Sequence, residues 1–301
     1  MKTVLKIFAS LGAALLAWPA AAALNVFACE AEWAALAQEL GGDKISVFSA
    51  TTARQDAHHI EARPSLISRV RNADLLICSG SELEIGWLPL LLTQSGNDRI
   101  QPGSPGYLEA SQFVTRLEIP KVIDRALGDI HPGGNPHIHL DPRNIAKVAE
   151  VLTSRLAALD HANAELYRKR SDDFRERWQA AMQRWEKQAA PLKSVPIVVY
   201  HKDMSYFINW AGMREVGSLE PKPGIPPTPT HLAELVERMK RNPAKAVVYS
   251  PYNNPGAAQF LSERAKIPNV MLPFTVGGTD KAKDLFGLFD DTIERLLVIV
   301  K

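Results

Sequence analysis

Eight histidines and two cysteines carry most of the metal chemistry open to this chain, and the histidines are not spread evenly. The stretch Asn135-Pro136-His137-Ile138-His139-Leu140-Asp141-Pro142 sets two imidazoles just ahead of a helix start. Pro142 suits the first helical position and Asp141 its N-cap. His137 and His139 are then expected on an extended segment, facing opposite ways, so that one metal ion takes only one of them. Two other places supply partners, Asp56-Ala57-His58-His59-Ile60-Glu61 and Val198-Val199-Tyr200-His201. Taken singly, each is an ordinary loop or strand-end histidine. Three together, each where a strand or loop meets a helix, point to a shared site in which His58, His137 and His201 hold one divalent metal. Imidazole suits zinc and other late first-row ions, whereas manganese prefers more oxygen, so zinc is expected and manganese disfavoured. A tetrahedral site asks for a fourth donor, for which Asp280 and water are both open. Glu61 is a candidate to hold His58 from behind by accepting its other N–H.

The elements that must position these side chains follow from periodicity. From Leu24 to about Asn163, strand candidates (Asn25 to Cys29, Ile45 to Ala50, Asp74 to Ser79) alternate with helical runs (Glu32 to Leu40, Pro64 to Asn72, Ser81 to Leu92). That alternation is the mark of parallel βα units, in which ligands sit beyond the carboxyl ends of the strands. Gln101 to Pro136 is rich in Pro and Gly and reads as a long loop with one strand at Val114 to Ile119. Between Asn163 and Ala190, the residues Tyr167, Arg170, Phe174, Trp178, Ala181 and Trp185 recur at helical spacing, with no Pro or Gly before Pro191. Such a helix is too long for one small lobe and is expected to join two, its aromatic stripe being core packing. Beyond it the alternation resumes, with strands at Pro196 to Tyr200, Arg214 to Ser218, Ala246 to Ser250 and Val270 to Phe274. The helices there are expected at Met204 to Ala211, Thr230 to Arg241, Asn254 to Ala265 and Lys281 to Leu297. Glu220 to Pro229 is too Pro-rich for either regular element.

The expected architecture is therefore α/β: two similar lobes with mainly parallel sheets, 24–162 and 191–301, joined by one long backbone helix at 163–190. With His58 and His137 on the first lobe and His201 on the second, the metal site falls in the interlobe cleft.

Residues 1–23 read as an export signal: Lys2 and Lys6, an apolar run from Ile7 to Trp18, then Ala21-Ala22-Ala23. Its removal leaves 33 basic against 33 acidic residues out of the 35 and 33 present. The near-neutral product has no basic stripe with interleaved aromatics, which argues against a nucleic-acid partner. Val26-Phe27-Ala28-Cys29 is close to a lipoprotein cleavage box, but Phe27 is large for its position and the Ala-rich site lies earlier, so lipidation is the less favoured outcome. Cys29 and Cys78 each close a strand-like run, and in an oxidising compartment a disulfide is expected. Two free thiols, or thiolates reaching a metal, are the alternatives.

These segments resemble, over essentially the whole mature length, the metal-specific solute-binding proteins of zinc and manganese ABC importers. The family segment D-P-H-x-x-E corresponds to Asp56 to Glu61, D-P-H-x-W-L-D-P to Asn135 to Pro142, and Y-H after a strand to Tyr200-His201. The resemblance implies two lobes, a linking helix, ligands at His58, His137 and His201, a periplasmic monomer and a membrane ABC permease as partner, with a loading metallochaperone as a further one. Histidine at the third position is the zinc-like choice. The chain departs from the family at Leu272-Pro273-Phe274-Thr275, where members carry L-D-P-L with an Asp ligand, and at Tyr249-Ser250-Pro251-Tyr252, where some carry Glu. His59, His131 and His139 are unusual neighbours; His131, in the Pro-Gly loop, is either a solvated loop residue or a metal collector at the cleft mouth. The competing reading is a zinc-dependent hydrolase using three histidines and a bound water. No H-E-x-x-H helix or G-x-S-x-G motif supports it.

Overall fold

The computed structural model describes residues 23–301 apart from 125 and 127, so the export signal lies outside the described residues but for its last position. In the first half, β1 (Leu24–Ala28), α1 (Ala31–Gly41), β2 (Ile45–Ser49), α2 (Pro64–Arg71), β3 (Leu75–Cys78), α3 (Leu88–Ser95), β4 (Tyr107–Glu109) and α4 (Pro142–Leu159) follow in order. The long helix α5 (Ala164–Ala189) comes next. The second half runs β5 (Pro196–Val199), α6 (Ser205–Ala211), β6 (Arg214–Ser218), α7 (Pro229–Arg241), β7 (Ala246–Tyr249), α8 (Gly256–Ala265), β8 (Asn269–Met271) and α9 (Leu285–Leu297).

Each half holds one parallel sheet, ordered β2-β1-β3-β4 and β6-β5-β7-β8, so the two lobes share a topology. The central strands β3, β5 and β7 are apolar on both faces, as strands covered by helices on both sides must be. On the first sheet Val26, Ala28, Leu75 and Ile77 face one core while Phe27, Cys29, Leu76 and Cys78 face another. On the second sheet Ile197, Val199 and Val248 face the first of these same cores, and Val198 and Val247 face a third. One face of each sheet thus feeds a single apolar body that crosses from lobe to lobe. Its middle is α5, about 39 Å long for its 26 residues. Tyr167, Phe174, Trp178, Ala181 and Trp185 are buried along it. Trp178 stacks on Phe174 and meets Trp185, Phe286 and Phe289 edge-on. Polar ends are tied off as well: the Trp178 Nε1–H donates to the Pro142 carbonyl at 2.9 Å and the Trp185 Nε1–H to Asp290 at 2.6 Å.

Several expectations shift. The fourth strand is Tyr107–Glu109, and residues 114–119 form no strand; Leu108 is buried beside β3, whereas Glu118 takes a left-handed φ of 53° that no strand accommodates. The helix expected from Ser81 begins at Leu88, because Ser81 and Glu82 have φ of 52° and 66° and Pro89 belongs in a first helical turn. Residues Ile138–Leu140 form a 3-10 turn where an extended segment was expected. Asp141 does cap α4, accepting from the Arg143 N–H at 2.9 Å, with Pro142 opening the helix.

Cys29 and Cys78 are joined in a disulfide, with Cα atoms 4.8 Å apart at the ends of adjacent strands β1 and β3. Cys29 is wholly buried and follows directly on β1.

Candidate metal centre

His58 sits in the loop after β2, His137 just before the 3-10 turn that leads into α4, and His201 directly after β5. All three positions lie beyond the carboxyl ends of parallel strands or at a helix entry. The fold brings these rings together: their centroids are 5.5 Å (His58–His137), 5.6 Å (His58–His201) and 5.6 Å (His137–His201) apart, each pair roughly edge-on. One nitrogen of each lies within 4.8 Å of the others.

Carboxylates outside the triangle fix two of the rings. Nδ1 of His58 is 2.6 Å from Asp56 Oδ1, which also accepts the His58 backbone N–H at 3.0 Å. Nδ1 of His201 is 2.6 Å from Glu220 Oε2, in the loop after β6, the strand next to β5. Both rings therefore turn Nε2 inward. Burial raises the Asp56 carboxyl, but the His58 hydrogen bond and charge outweigh it and hold the group near 2. Burial likewise lowers His201, and the Glu220 hydrogen bond with the charges of Asp203, Glu220 and Asp56 overturns that, so its net shift is upward. His137 is different. It is 2% exposed and neither ring nitrogen has a partner. Burial, then the charges of the neighbouring imidazoles, push it well below the ordinary histidine range, so it stays neutral and able to donate a lone pair.

The other expected residues fall elsewhere. Glu61 is exposed, and the part assigned to it is taken by Asp56, two residues ahead of His58 where an Asx turn reaches the ring. Asp280 is exposed and not among the clustered donors. His59 is exposed. His139 is buried but faces away from the triangle, its Nδ1 3.0 Å from Glu32 Oε1 and its Nε2 3.0 Å from the Phe274 carbonyl. Glu32 in turn accepts from the Thr275 hydroxyl at 2.5 Å. His139 and Glu32 thereby tie the first lobe to the 274–275 turn of the second. Phe274 has φ of 61°, costly for a bulky residue, and its ring stands edge-on to His137 at 5.6 Å. The turn needs Gly278, where a Cβ would fall 1.8 Å from the Pro273 carbonyl oxygen. The apolar ring of Phe274 thus covers one side of His137 in the segment where the family places an acid.

A cavity of about 290 Å³ opens from the triangle, lined by His131, Asn135, His137, His201, Lys202 and Glu118 among others. Its walls cross the lobes: the Tyr206 hydroxyl donates to the Asn135 carbonyl at 2.8 Å, and Lys202 pairs with Glu118 at 2.9 Å. Glu220 and Asp56 were hidden from sequence reasoning for different reasons. Asp56 carried a local signal, its spacing from His58; Glu220 had none, since only the pairing of β5 with β6 brings it near.

Two parallel-sheet lobes, one long connecting helix and a ring of imidazoles between them define the class of cleft-type solute-binding proteins of ABC importers. Residues 26–297 match the family described as ZnuA, zinc-uptake complex component A, periplasmic, and the chain belongs to that family. It is 23% identical over 270 residues to the manganese ABC transporter substrate-binding lipoprotein PsaA of Streptococcus anginosus, covering 87% of this chain and 83% of that protein. With the zinc-binding lipoprotein AdcA of Streptococcus pneumoniae it shares 22% identity over 239 residues, 78% of this chain but 46% of the relative, so it spans about half that protein's length. Among solved structures, a crystal structure of ZnuA superposes with a TM-score of 0.75 at 19% identity, over 91% of this chain and 99% of that one. The Mn-bound periplasmic metal binding protein from Candidatus Liberibacter asiaticus gives 0.75 at 15% identity, over 92% and 100%. At those identities the structural likeness speaks for the fold.

Proposed function

We propose that the chain captures one divalent metal ion, zinc, on His58, His137 and His201 and delivers it to the membrane permease of an ABC importer. The observation that carries this reading is His137: a fully buried imidazole with neither nitrogen partnered, facing two others whose outer nitrogens are already tied to carboxylates. Burying such a group costs free energy unless a ligand repays it, and a late first-row divalent cation is the ligand that three imidazoles fit. Asp56 and Glu220, the carboxylates in contact with the ring, are engaged in holding histidines, which supports binding over hydrolysis. Among the described residues no helix is long and apolar enough to cross a membrane. The same reading takes residues 1–23 as removed on export to the periplasm, and 24–162 and 191–301 as the lobes about the 163–190 link, the mature protein acting as a monomer.

Calorimetric competition on metal-stripped protein tests it. One zinc per chain, bound more tightly than manganese, is expected; manganese binding as tightly or more tightly would overturn the zinc assignment.

A further inference from the structure

We propose that His131 is the fourth nitrogen donor to the cargo metal, replacing the acid that the 272–275 segment lacks. This rests on the reading that His58, His137 and His201 hold the metal. His131 stands in the long loop between β4 and α4, with its Nε2 3.2 Å from Nε2 of His58. With its Nδ1–H donated in a hydrogen bond to Asp56, His58 keeps a lone pair on Nε2. His131 lines the same cavity as His137 and His201, so its ring stands at the mouth of the triangle. With Nε2 of both rings unprotonated, a cation taken up between them would be held by two lone pairs. The spacing to His58 fits: with Zn–N bonds of 2.0–2.1 Å, two nitrogens on a tetrahedral zinc lie about 3.3 Å apart, and His131 joins from outside the three histidines whose nitrogens already lie within 4.8 Å of one another.

The loop that carries His131 is braced rather than loose. The Asp129 N–H donates across the cleft to the Pro223 carbonyl at 2.7 Å, and Lys222 Nζ donates to the Ala126 carbonyl at 2.6 Å. Asn135 Nδ2 donates to the Lys202 carbonyl at 2.7 Å and holds the loop's other end to the second lobe. His131 therefore lines two cavities at once, the inner one with His137 and His201 and an outer one with His59, Glu82 and Asp129. A ligand at that position closes the coordination sphere against water from the outer side, while the Phe274 ring closes it at His137.

Cobalt(II) is the probe, since its visible bands report coordination number and donor set. The full mature chain and its His131→Ala variant are loaded with cobalt and titrated with azide, and the zinc-loaded forms are compared by X-ray absorption. Four imidazoles and indifference to azide are expected of the wild type. The variant is expected to show three imidazoles plus an oxygen, azide-sensitive bands, and zinc affinity weakened by at least about tenfold. His59→Ala, at the same mouth, should behave as wild type, and His131→Gln serves as a second variant if the alanine form melts early without metal. Identical spectra for wild type and variant, both responding to azide, would overturn the proposal. Failure of the wild type to take up cobalt would instead bring down the three-histidine site itself, whereas failure of the variant alone would support His131 as a ligand.

Discussion

Replacing His137 with leucine should stabilise the metal-free protein while crippling metal capture. Both nitrogens of His137 are buried without partners, and each such group costs about 1–3 kcal/mol relative to a satisfied or absent one. Leucine removes both and has similar bulk. Against the gain stand the lost edge contact with Phe274, about 0.5–1.5 kcal/mol, and imperfect repacking of up to about 1.5 kcal/mol. On central values the balance favours the variant by about 2 kcal/mol, which for a chain of this size is a rise in Tm of about 4 °C. The histidine titrates in the same direction. Its folded-state pKa is depressed by burial, so the native wild type loses stability as pH falls below the unfolded value of about 6.5, and the variant does not. The margin should therefore widen in acid. Zinc reverses the order, since free metal at about 100 times Kd adds about 2.7 kcal/mol to a protein that binds it, and leucine offers no donor. Calorimetric melts of both proteins, in chelator and in zinc, read all of this. A chelated variant that melts at or below the wild-type temperature would show that His137 is a satisfied packing residue, and the case for a site built around it would fail.

Glu220→Gln should weaken zinc binding about 10- to 100-fold at high pH by loosening His201. Because Glu220 contributes to holding the His201 pKa up, the variant should also keep binding to lower pH than wild type relative to its own maximum; a pH titration of affinity with an unmoved midpoint would refute the pairing. His139→Ala should cost at most about 10- to 100-fold in affinity, as a residue acting through Phe274, whereas His137→Ala should cost orders of magnitude; the reverse ranking in competition titrations would misplace the site. Thiol labelling of the denatured, unreduced chain should find no free cysteine, and Cys29→Ser should lower stability by about 2–5 kcal/mol in denaturant melts. Two labelled thiols per chain would reject the disulfide. Trp178→Ala should cost about 3–5 kcal/mol, since it empties the middle of the shared core, and a loss below about 1 kcal/mol would mean that α5 is not the structural joint.

What could be read from sequence was whatever a short-range pattern encodes. Strands such as Leu75–Cys78 are continuous apolar runs because both faces are covered, and the Tyr167-to-Trp185 stripe has a period only a helix can satisfy. The three histidines were found because strand ends and helix starts are where side chains reach a cleft. The strand at Tyr107–Glu109 was misplaced because three residues, one of them buried, carry too little pattern to outweigh the more apolar Val114 to Ile119 run. His139 was expected to diverge from His137 through an extended backbone, and it diverges through a 3-10 turn instead. Glu220 and His131 reach the site only through tertiary closure, one by strand pairing and one by a loop that crosses the cleft.

The apolar body through α5 also decides what kind of signal the protein can send. Both sheets are rooted in it, so a wide swing of one lobe against the other would tear Trp178 and Trp185 from Phe286 and Phe289. A loaded and an empty molecule must then have nearly the same outline. Whatever tells a transporter that the cleft is full has to be written in small print, in the segment from Glu118 to Asn135 and the turn at Phe274, where a change of an ångström alters which atoms greet the membrane partner. Release faces the same restriction: with no wide swing of the lobes to open the cleft, those two segments are the ones whose movement would uncover the metal.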